Sequence, residues 1–128
     1  MSVHPTLRYA DPDAAIALLR DAFGFTVTSD HRDDDGTVVH AELVHGGGAV
    51  LIGPRREGDA FATGRAVVYC VVDDPDAHHA RAVAAGATVV QELVDQPYGS
   101  REWAAVDGED NVWSFGTHRP GAAGIVGA

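Results

Sequence analysis

The sequence repeats a short pattern at an interval of about half its length. The tetrapeptide DPDA occupies residues 11–14 and recurs at 74–77, an offset of 63 in a chain of 128 residues. Each copy follows an apolar stretch, opens a helical pattern and leads through a glycine to a strand-like run, GFTV at 24–27 and GATV at 86–89. Since these features recur in the same order, we predict a chain built from two copies of one structural unit.

Each copy of the tetrapeptide carries the residues that begin a helix. Asp11 can cap a helix that begins at Pro12. Proline is favoured at this first position, because the amide hydrogen that it lacks would have no partner there. A glycine then ends the helical pattern at position 24. The second copy repeats this arrangement with Asp74, Pro75 and Gly86. We therefore predict two amphipathic helices, each packed on a sheet.

Strand-like segments account for most of the remaining sequence. They span residues 6–10, 25–31, 37–45 and 49–53 in the first half, and 66–72, 87–93, 101–107 and 112–117 in the second. With the helices, each half has the order βαβββ, which predicts an α+β fold with curved mixed sheets around a cleft. We predict one domain over residues 1–120, with modules at about 3–53 and 66–118, a linker at 54–65 and a flexible tail at 121–128.

Composition restricts the partners and the location. The chain has 19 acidic and 9 basic residues and a net charge of -10, so no nucleic-acid partner is expected, because phosphate recognition needs a basic face. The only thiol, Cys70, has no partner for a disulfide within the chain. No apolar run approaches the roughly 20 residues that cross a bilayer, and no secretion signal is recognised. We expect a cytoplasmic protein without a membrane partner.

Three segments resemble the vicinal oxygen chelate superfamily, which includes glyoxalases, extradiol dioxygenases and bleomycin-resistance proteins. HPTLRYADPDAAIALLRDAFGF is similar to the family's opening strand and helix, VVDDPDAHHARAVAAGATVV to their second-half counterpart, and PYGSREWAAVDGEDNVWSFGT to the closing hairpin. Gly108 stands where the turn of that hairpin usually has a proline. The chain is most similar to metal-free bleomycin-resistance-like binding proteins. This resemblance implies a homodimer, with modules exchanged between chains and a cleft at or near each subunit contact.

The resemblance also implies where a metal would bind, and this sequence lacks most of the donors. His4 stands at the first ligand position, and the offset of 63 carries that position to Val67. The closing strands, which supply carboxylates in metal-binding members, have Leu51 or Ile52 in the first half and Ser114 in the second. Because aliphatic side chains cannot bind a metal, we predict that the site has lost its metal and that no cofactor is required.

A displaced metal site on the third strand is the alternative. His40 and Glu42 share one face of that strand by alternation, whereas His45 falls on the other, and His4 could join the first two. These side chains are more simply interpreted as hydrogen-bonding or solvated residues.

Strand alternation from His4 predicts which residues line the cleft. Thr6 and Arg8 follow His4 on the same face, and the offset of 63 places Trp103 opposite His40. Val38 is assigned to the cleft and Val39 to the side that faces the helix. The predicted ligand-binding residues are His4, Arg8, His40, Glu42, Phe61, Tyr69, Arg101, Trp103 and Ser114.

A cleft with several rings and few polar anchors suits a flat aromatic ligand. The chain has neither a GxSxG nucleophile motif nor a phosphate-binding loop, so the residues indicate binding and no particular reaction. We predict a metal-free protein that sequesters a hydrophobic, aromatic natural product or antibiotic, as in self-resistance. The alternative is a glyoxalase-like lyase or isomerase, or a dioxygenase, in small-molecule metabolism or natural-product biosynthesis.

Overall fold

The computed structural model describes residues 1–121 and contains two helices and eight strands within that range. The elements are β1 (Thr6–Tyr9), α1 (Pro12–Asp21), β2 (Thr26–Arg32), β3 (Val38–His45), β4 (Gly48–Pro54), β5 (Val67–Val71), α2 (Pro75–Ala84), β6 (Thr88–Asp95), β7 (Arg101–Val106) and β8 (Val112–Gly116). The predicted flexible tail lies, apart from Gly121, outside the described residues.

The strands form two four-stranded mixed sheets with the same topology. The first sheet has the order β1-β4-β3-β2 and the second the order β5-β8-β7-β6. In each sheet the first strand runs parallel to the last strand of its module, and the other neighbours are antiparallel. The predicted α+β fold of two tandem βαβββ modules is confirmed.

Both helices begin and end as the sequence predicts. The side chain of Asp11 accepts a hydrogen bond from the amide of Ala14 at 3.1 Å, and Asp74 accepts the equivalent bond from Ala77 at 3.1 Å. Gly24 follows α1 with φ of 83°, a left-handed conformation that favours glycine. Neither described helix is both long and apolar enough to cross a membrane.

The two modules share one hydrophobic core. The helix-facing sides of both sheets contribute to it, and rings of the first module contact rings of the second. The ring centroids of Phe23 and Phe115 lie 4.9 Å apart, and those of Phe25 and Trp113 lie 5.9 Å apart. The other side of each sheet therefore points away from the core.

A buried carboxylate connects the modules at the turn between β7 and β8. Asp107 accepts hydrogen bonds from the Tyr9 hydroxyl at 2.6 Å and from the Trp113 indole at 3.1 Å. Burial alone would raise the pKa of Asp107, but the hydrogen bonds from Tyr9, Trp113 and neighbouring groups outweigh it and keep this pKa below its ordinary value. In the same turn, Glu109 accepts hydrogen bonds from two backbone amides just before α1. The closing turn of the second module therefore stabilises the start of the first helix.

The offset between the two modules changes by one residue along the chain. Ala41 pairs with Ile52 in the first module, and Trp103 pairs with Phe115, which lies 63 residues after Ile52, in the second. Trp103 is thus the equivalent of Ala41 and not of His40. The prediction that Trp103 faces the cleft is wrong. It applied the offset of 63 to every position, whereas the second module has one residue fewer before β6.

A bulge reverses the predicted faces of Val38 and Val39. His31 pairs with His40, but the next residue of β2, Arg32, pairs with Val38 and not with Val39. The register of the two strands therefore shifts by one residue there. Val38 is consequently buried in the core, and Val39 is 41% exposed. Strict alternation cannot anticipate the extra residue of a bulge.

Candidate functional site

Each sheet leaves one side without a helix, and we call these sides the open faces. The first open face carries Thr6, Arg8, His40, Glu42, Leu51 and Gly53. The second open face carries Tyr69, Glu102, Ala104, Ser114 and Gly116.

Arg8 organises one end of the first open face. Its guanidinium lies over Gly53, where a Cβ would come within 2.7 Å of its terminal nitrogen, so a larger residue there would displace the end of the Arg8 side chain. The ring of Phe61, from the segment that links the modules, has its centroid 5.1 Å from the Arg8 guanidinium carbon. Asp59 holds the arrangement by accepting a 3.3 Å hydrogen bond from Arg8 Nε and a 2.9 Å bond from the Phe61 amide. The Phe61 amide and Arg8 also lower the pKa of Asp59.

A histidine and a carboxylate form a pair on the same face. His40 Nε2 lies 2.9 Å from Glu42 Oε2, and both side chains are partly exposed. The His31 ring on β2 stacks beside His40 with 6.3 Å between centroids. The structure therefore brings Arg8, His40, Glu42 and Phe61 to one face, as the sequence predicted.

Tyr69 and Ser114 are neighbours on the second open face. They occupy paired positions of β5 and β8. The Tyr69 hydroxyl donates a 2.8 Å hydrogen bond to the carbonyl of His118, and partial burial of the phenol raises its pKa. These two predicted residues lie together, but on a different sheet from Arg8 and His40.

Glu102 lies on the second open face, although it is not among the predicted ligand-binding residues. It is only 8% exposed, and its Oε1 accepts a 2.6 Å hydrogen bond from the hydroxyl of Tyr98. This bond raises the pKa of Tyr98 to about 12. Glu102 immediately precedes Trp103 and is therefore the equivalent of His40. An offset corrected by one residue would have identified it.

Trp103 and Arg101 lie on the helix-facing side of β7, so the prediction that they line the cleft is wrong. Trp103 is fully buried, stacks on Phe115 at 4.8 Å and donates a 3.2 Å hydrogen bond to His78 Nδ1. The Arg101 guanidinium binds both carboxylate oxygens of Asp76 on α2 at 2.9 Å. Both side chains hold α2 on its sheet.

The four positions that the family resemblance implies for a metal do not fit one here. His4 is exposed before β1, with Nε2 2.7 Å from the Ser2 hydroxyl. Of the two candidates on β4, Leu51 lies on the open face and Ile52 is buried. The four positions are therefore His4, Leu51, Val67 and Ser114. One imidazole, two aliphatic groups and a hydroxyl are a poor donor set. Among residues 1–121, no group of three or more His, Cys, Asp or Glu side chains is arranged to hold a metal.

His45 is separated from the other candidates for a displaced metal site. Its ring packs against Phe25 at 5.3 Å, and its Nε2 donates a 2.8 Å hydrogen bond to the carbonyl of Val71. It therefore lies on the opposite side of β3 from His40 and Glu42.

A cavity of about 750 Å³ lies at the junction of the modules. Its walls come from the β3–β4 turn, β5 and the start of α2, and Tyr69 is the one predicted ligand-binding residue among them. Cys70, which also lines it, is largely buried, and burial raises the pKa of its thiol to about 12. A thiol with this pKa is a poor nucleophile. We place the candidate site on the open faces, because they collect most of the polar and aromatic side chains that could orient a ligand.

Comparison with known proteins places these observations in a family context. The family model described as Glyoxalase/Bleomycin resistance protein/Dioxygenase superfamily matches residues 2–115. The uncharacterized protein Mb0911c of Mycobacterium bovis is 31% identical over 124 residues, which cover 90% of this chain and 82% of that protein.

Two solved structures illustrate the likeness in fold. TioX from Micromonospora sp. ML1 is 36% identical, with a TM-score of 0.78 over 93% of this chain and 99% of that one. TnmS3, an antibiotic binding protein from Streptomyces sp. CB03234, is 18% identical, with a TM-score of 0.70 over 90% of this chain and 96% of that one.

Proposed function

This chain belongs to the glyoxalase, bleomycin resistance protein and dioxygenase superfamily, and we propose that it binds and sequesters a small aromatic molecule without a metal. The ligand would be a hydrophobic natural product or antibiotic held on the open faces, in the cytoplasm. TnmS3 supports this proposal as an antibiotic binding protein with the same fold. The poor metal-donor set at His4, Leu51, Val67 and Ser114 supports binding without a metal.

The observation that carries the proposal is an exposed aromatic ring held at each open face by a charged residue. Phe61 is 59% exposed and lies against Arg8, and Tyr98 is 62% exposed and bonds to Glu102. A ligand or partner that covers these rings would remove apolar surface from water, which favours binding. Rings fixed in advance also lose little entropy when they stack on a flat molecule.

We further propose that two copies enclose the ligand in a homodimer, with each cleft formed by modules of different chains. In one chain the open faces point away from the shared core, so they do not form opposite walls of one cleft. The first open face of one copy could instead cover the second open face of another. Light scattering should therefore give the mass of a dimer, and a monomer at micromolar concentration would contradict this arrangement.

Binding should depend on the two exposed rings. We expect a chelator-treated sample to bind one or more members of a panel of planar polycyclic antibiotics, as measured by calorimetry. Phe61→Ala and Tyr98→Ala should each weaken the binding about fivefold, since stacking on an aromatic side chain is worth about 1 kcal/mol. Val83→Ala removes an exposed side chain of α2 and is the matched control.

Full affinity in both ring variants would contradict binding at the open faces and would direct attention to the cavity at the module junction. A requirement for added metal would contradict metal-free binding.

The pair of His40 and Glu42 is the observation that supports an enzyme instead. A histidine beside a carboxylate can transfer protons to and from a bound molecule. Mass spectrometry of the ligand after incubation separates the two functions, because sequestration returns it unchanged. A modified product whose formation is lost in His40→Gln would establish the enzyme.

A further inference from the structure

Glu102 is a nearly buried carboxylate without a positively charged partner in residues 1–121. Its side chain lies over Gly116, where a Cβ would meet its Cγ at 2.6 Å and its Oε2 at 2.9 Å. The two arginines nearest in sequence are engaged elsewhere, Arg101 with Asp76 and Asp95, and Arg119 with Asp73. Within the described part of the chain, the Tyr98 hydroxyl at Oε1 is its one hydrogen-bond donor.

A molecule that covers the second open face removes water from this carboxylate and must replace the hydrogen bonds that the water made. Oε2 accepts no hydrogen bond from residues 1–121, and every unpaired polar side-chain atom of this part of the chain has some exposed surface. Solvent therefore reaches Oε2 in the free protein. Covering it with an apolar group would leave a desolvated charge, which strongly opposes binding. A cationic group at Oε2 would turn this cost into a gain.

The hydroxyls of two tyrosines lie close to the same carboxylate. Tyr98 bonds to it directly, and the Tyr69 hydroxyl lies 2.8 Å from the Cβ position of Gly116 that Glu102 also approaches. The His118 ring lies edge-on to Tyr98, with 6.2 Å between centroids. An ammonium group that binds Oε2 would pair with the carboxylate, and aromatic side chains beside it can attract a cation further. The net charge of -10 further favours a cation.

We propose that Glu102, Tyr98 and Tyr69 form a subsite for a protonated amine, and that the ligand class is therefore aromatic amines. This inference rests on the proposed function and narrows its ligand. The first open face offers no equivalent subsite, since its carboxylate, Glu42, is partly exposed and already lies 2.9 Å from His40 Nε2, and Arg8 is paired with Asp59. Glu102 thus selects among aromatic ligands by their charge.

A pair of probes with the same ring tests the subsite. Tryptamine carries an ammonium group where tryptophol carries a hydroxyl. By calorimetry and saturation-transfer NMR at pH 7, tryptamine should bind about tenfold more tightly than tryptophol. Glu102→Gln keeps the shape of the side chain and should abolish the preference by weakening tryptamine alone. Glu92→Gln, an exposed substitution on β6, should retain the preference.

The outcomes separate this inference from the proposed function. Equal affinities in the unmodified protein would overturn the subsite and leave aromatic binding intact. Binding of neither probe would also overturn the subsite, whereas the proposed function fails only if the antibiotic panel does not bind. Equal weakening of both probes by Glu102→Gln would overturn the subsite in favour of a structural role. Dissociation of a dimer by Glu102→Gln would also overturn it, since a partner chain's cation would then be the occupant.

If Glu102→Gln fails to fold, Tyr98→Ala at an exposed position should still reduce the preference severalfold, and an unchanged preference would overturn the subsite.

Discussion

At the scale of single residues, two glycines govern how polar side chains lie on the open faces. Gly53 and Gly116 occupy equivalent positions 63 residues apart, and each is covered by a charged side chain of a neighbouring strand. Arg8 lies over the first and Glu102 over the second. Neither glycine has a positive φ, so what each provides is space and not an unusual backbone conformation. The missing Cβ atoms create the two notches in which the charged groups are held.

Filling one of these notches should disturb the second open face. In Gly116→Ala the new Cβ would meet Glu102 Cγ at 2.6 Å and the Tyr69 hydroxyl at 2.8 Å. We expect a loss of about 1–3 kcal/mol in the free energy of unfolding, measured with urea, because both side chains must move. Gly108→Ala is the control, since no atom lies within 4 Å of its Cβ position and its φ is not positive. Equal effects of the two substitutions would show that the notch is not tightly filled.

At the scale of elements, local signals predicted the helices and strands, whereas side-chain faces depended on longer-range register. The caps at Asp11 and Asp74 act within one turn, so the sequence around them is sufficient to place both helices. The face of Trp103 depends on how β7 pairs with β8, and a one-residue change in offset moved it from the cleft into the core. The assignment of Arg101 failed with it. Glu102 could have been found only with the corrected register.

The docking of α2 depends on a neutral histidine. His78 donates from Nε2 to the carbonyl of Phe23 at 2.8 Å, and its Nδ1 accepts from the Trp103 indole, which requires the unprotonated ring. Desolvation lowers its pKa, the bond to Phe23 opposes this shift, and the charges of His45 and Arg81 add to the lowering. Because the folded-state pKa lies below the ordinary value of about 6.5, the unfolded chain takes up a proton first as the pH falls.

The stability that His78 contributes should accordingly be complete above about pH 6.5 and decrease as the pH falls towards its lower folded-state pKa. His78→Gln cannot titrate and should lose less stability than the unmodified protein between about pH 7 and pH 5. At neutral pH it should cost about 1 kcal/mol, since the hydrogen bond from Trp103 is weakened. Urea unfolding across this range measures both effects. Val83→Ala, an exposed substitution on the same helix, should keep the original pH dependence.

At the scale of the whole molecule, the two modules depend on each other. The core contains Phe23 and Phe25 from one module and Trp113 and Phe115 from the other, and Asp107 accepts a hydrogen bond from Tyr9 across the junction. The repeat in the sequence predicted two equivalent units but not how much of their apolar surface they bury against one another. Such contacts join residues about 90 positions apart, and no local pattern specifies them.

Neither module should therefore fold alone. A fragment of residues 1–60 would expose Phe23 and Phe25, and we expect it to lack the dispersed amide NMR spectrum and cooperative unfolding transition of the full chain. The fragment 61–128 should behave in the same way, because its buried indole and phenyl rings would lose their partners. A cooperative transition in either fragment would contradict the dependence on a shared core.

The shared core also means that the peptide linking Pro54 to Val67 is not what keeps the halves assembled. It crosses the surface and carries three arginines, Arg55, Arg56 and Arg65, at which trypsin can cut. A nicked molecule would remain in one piece in native buffer and separate into two peptides only in denaturant. Two genes, each encoding one half, could by the same reasoning supply the complete protein by complementation.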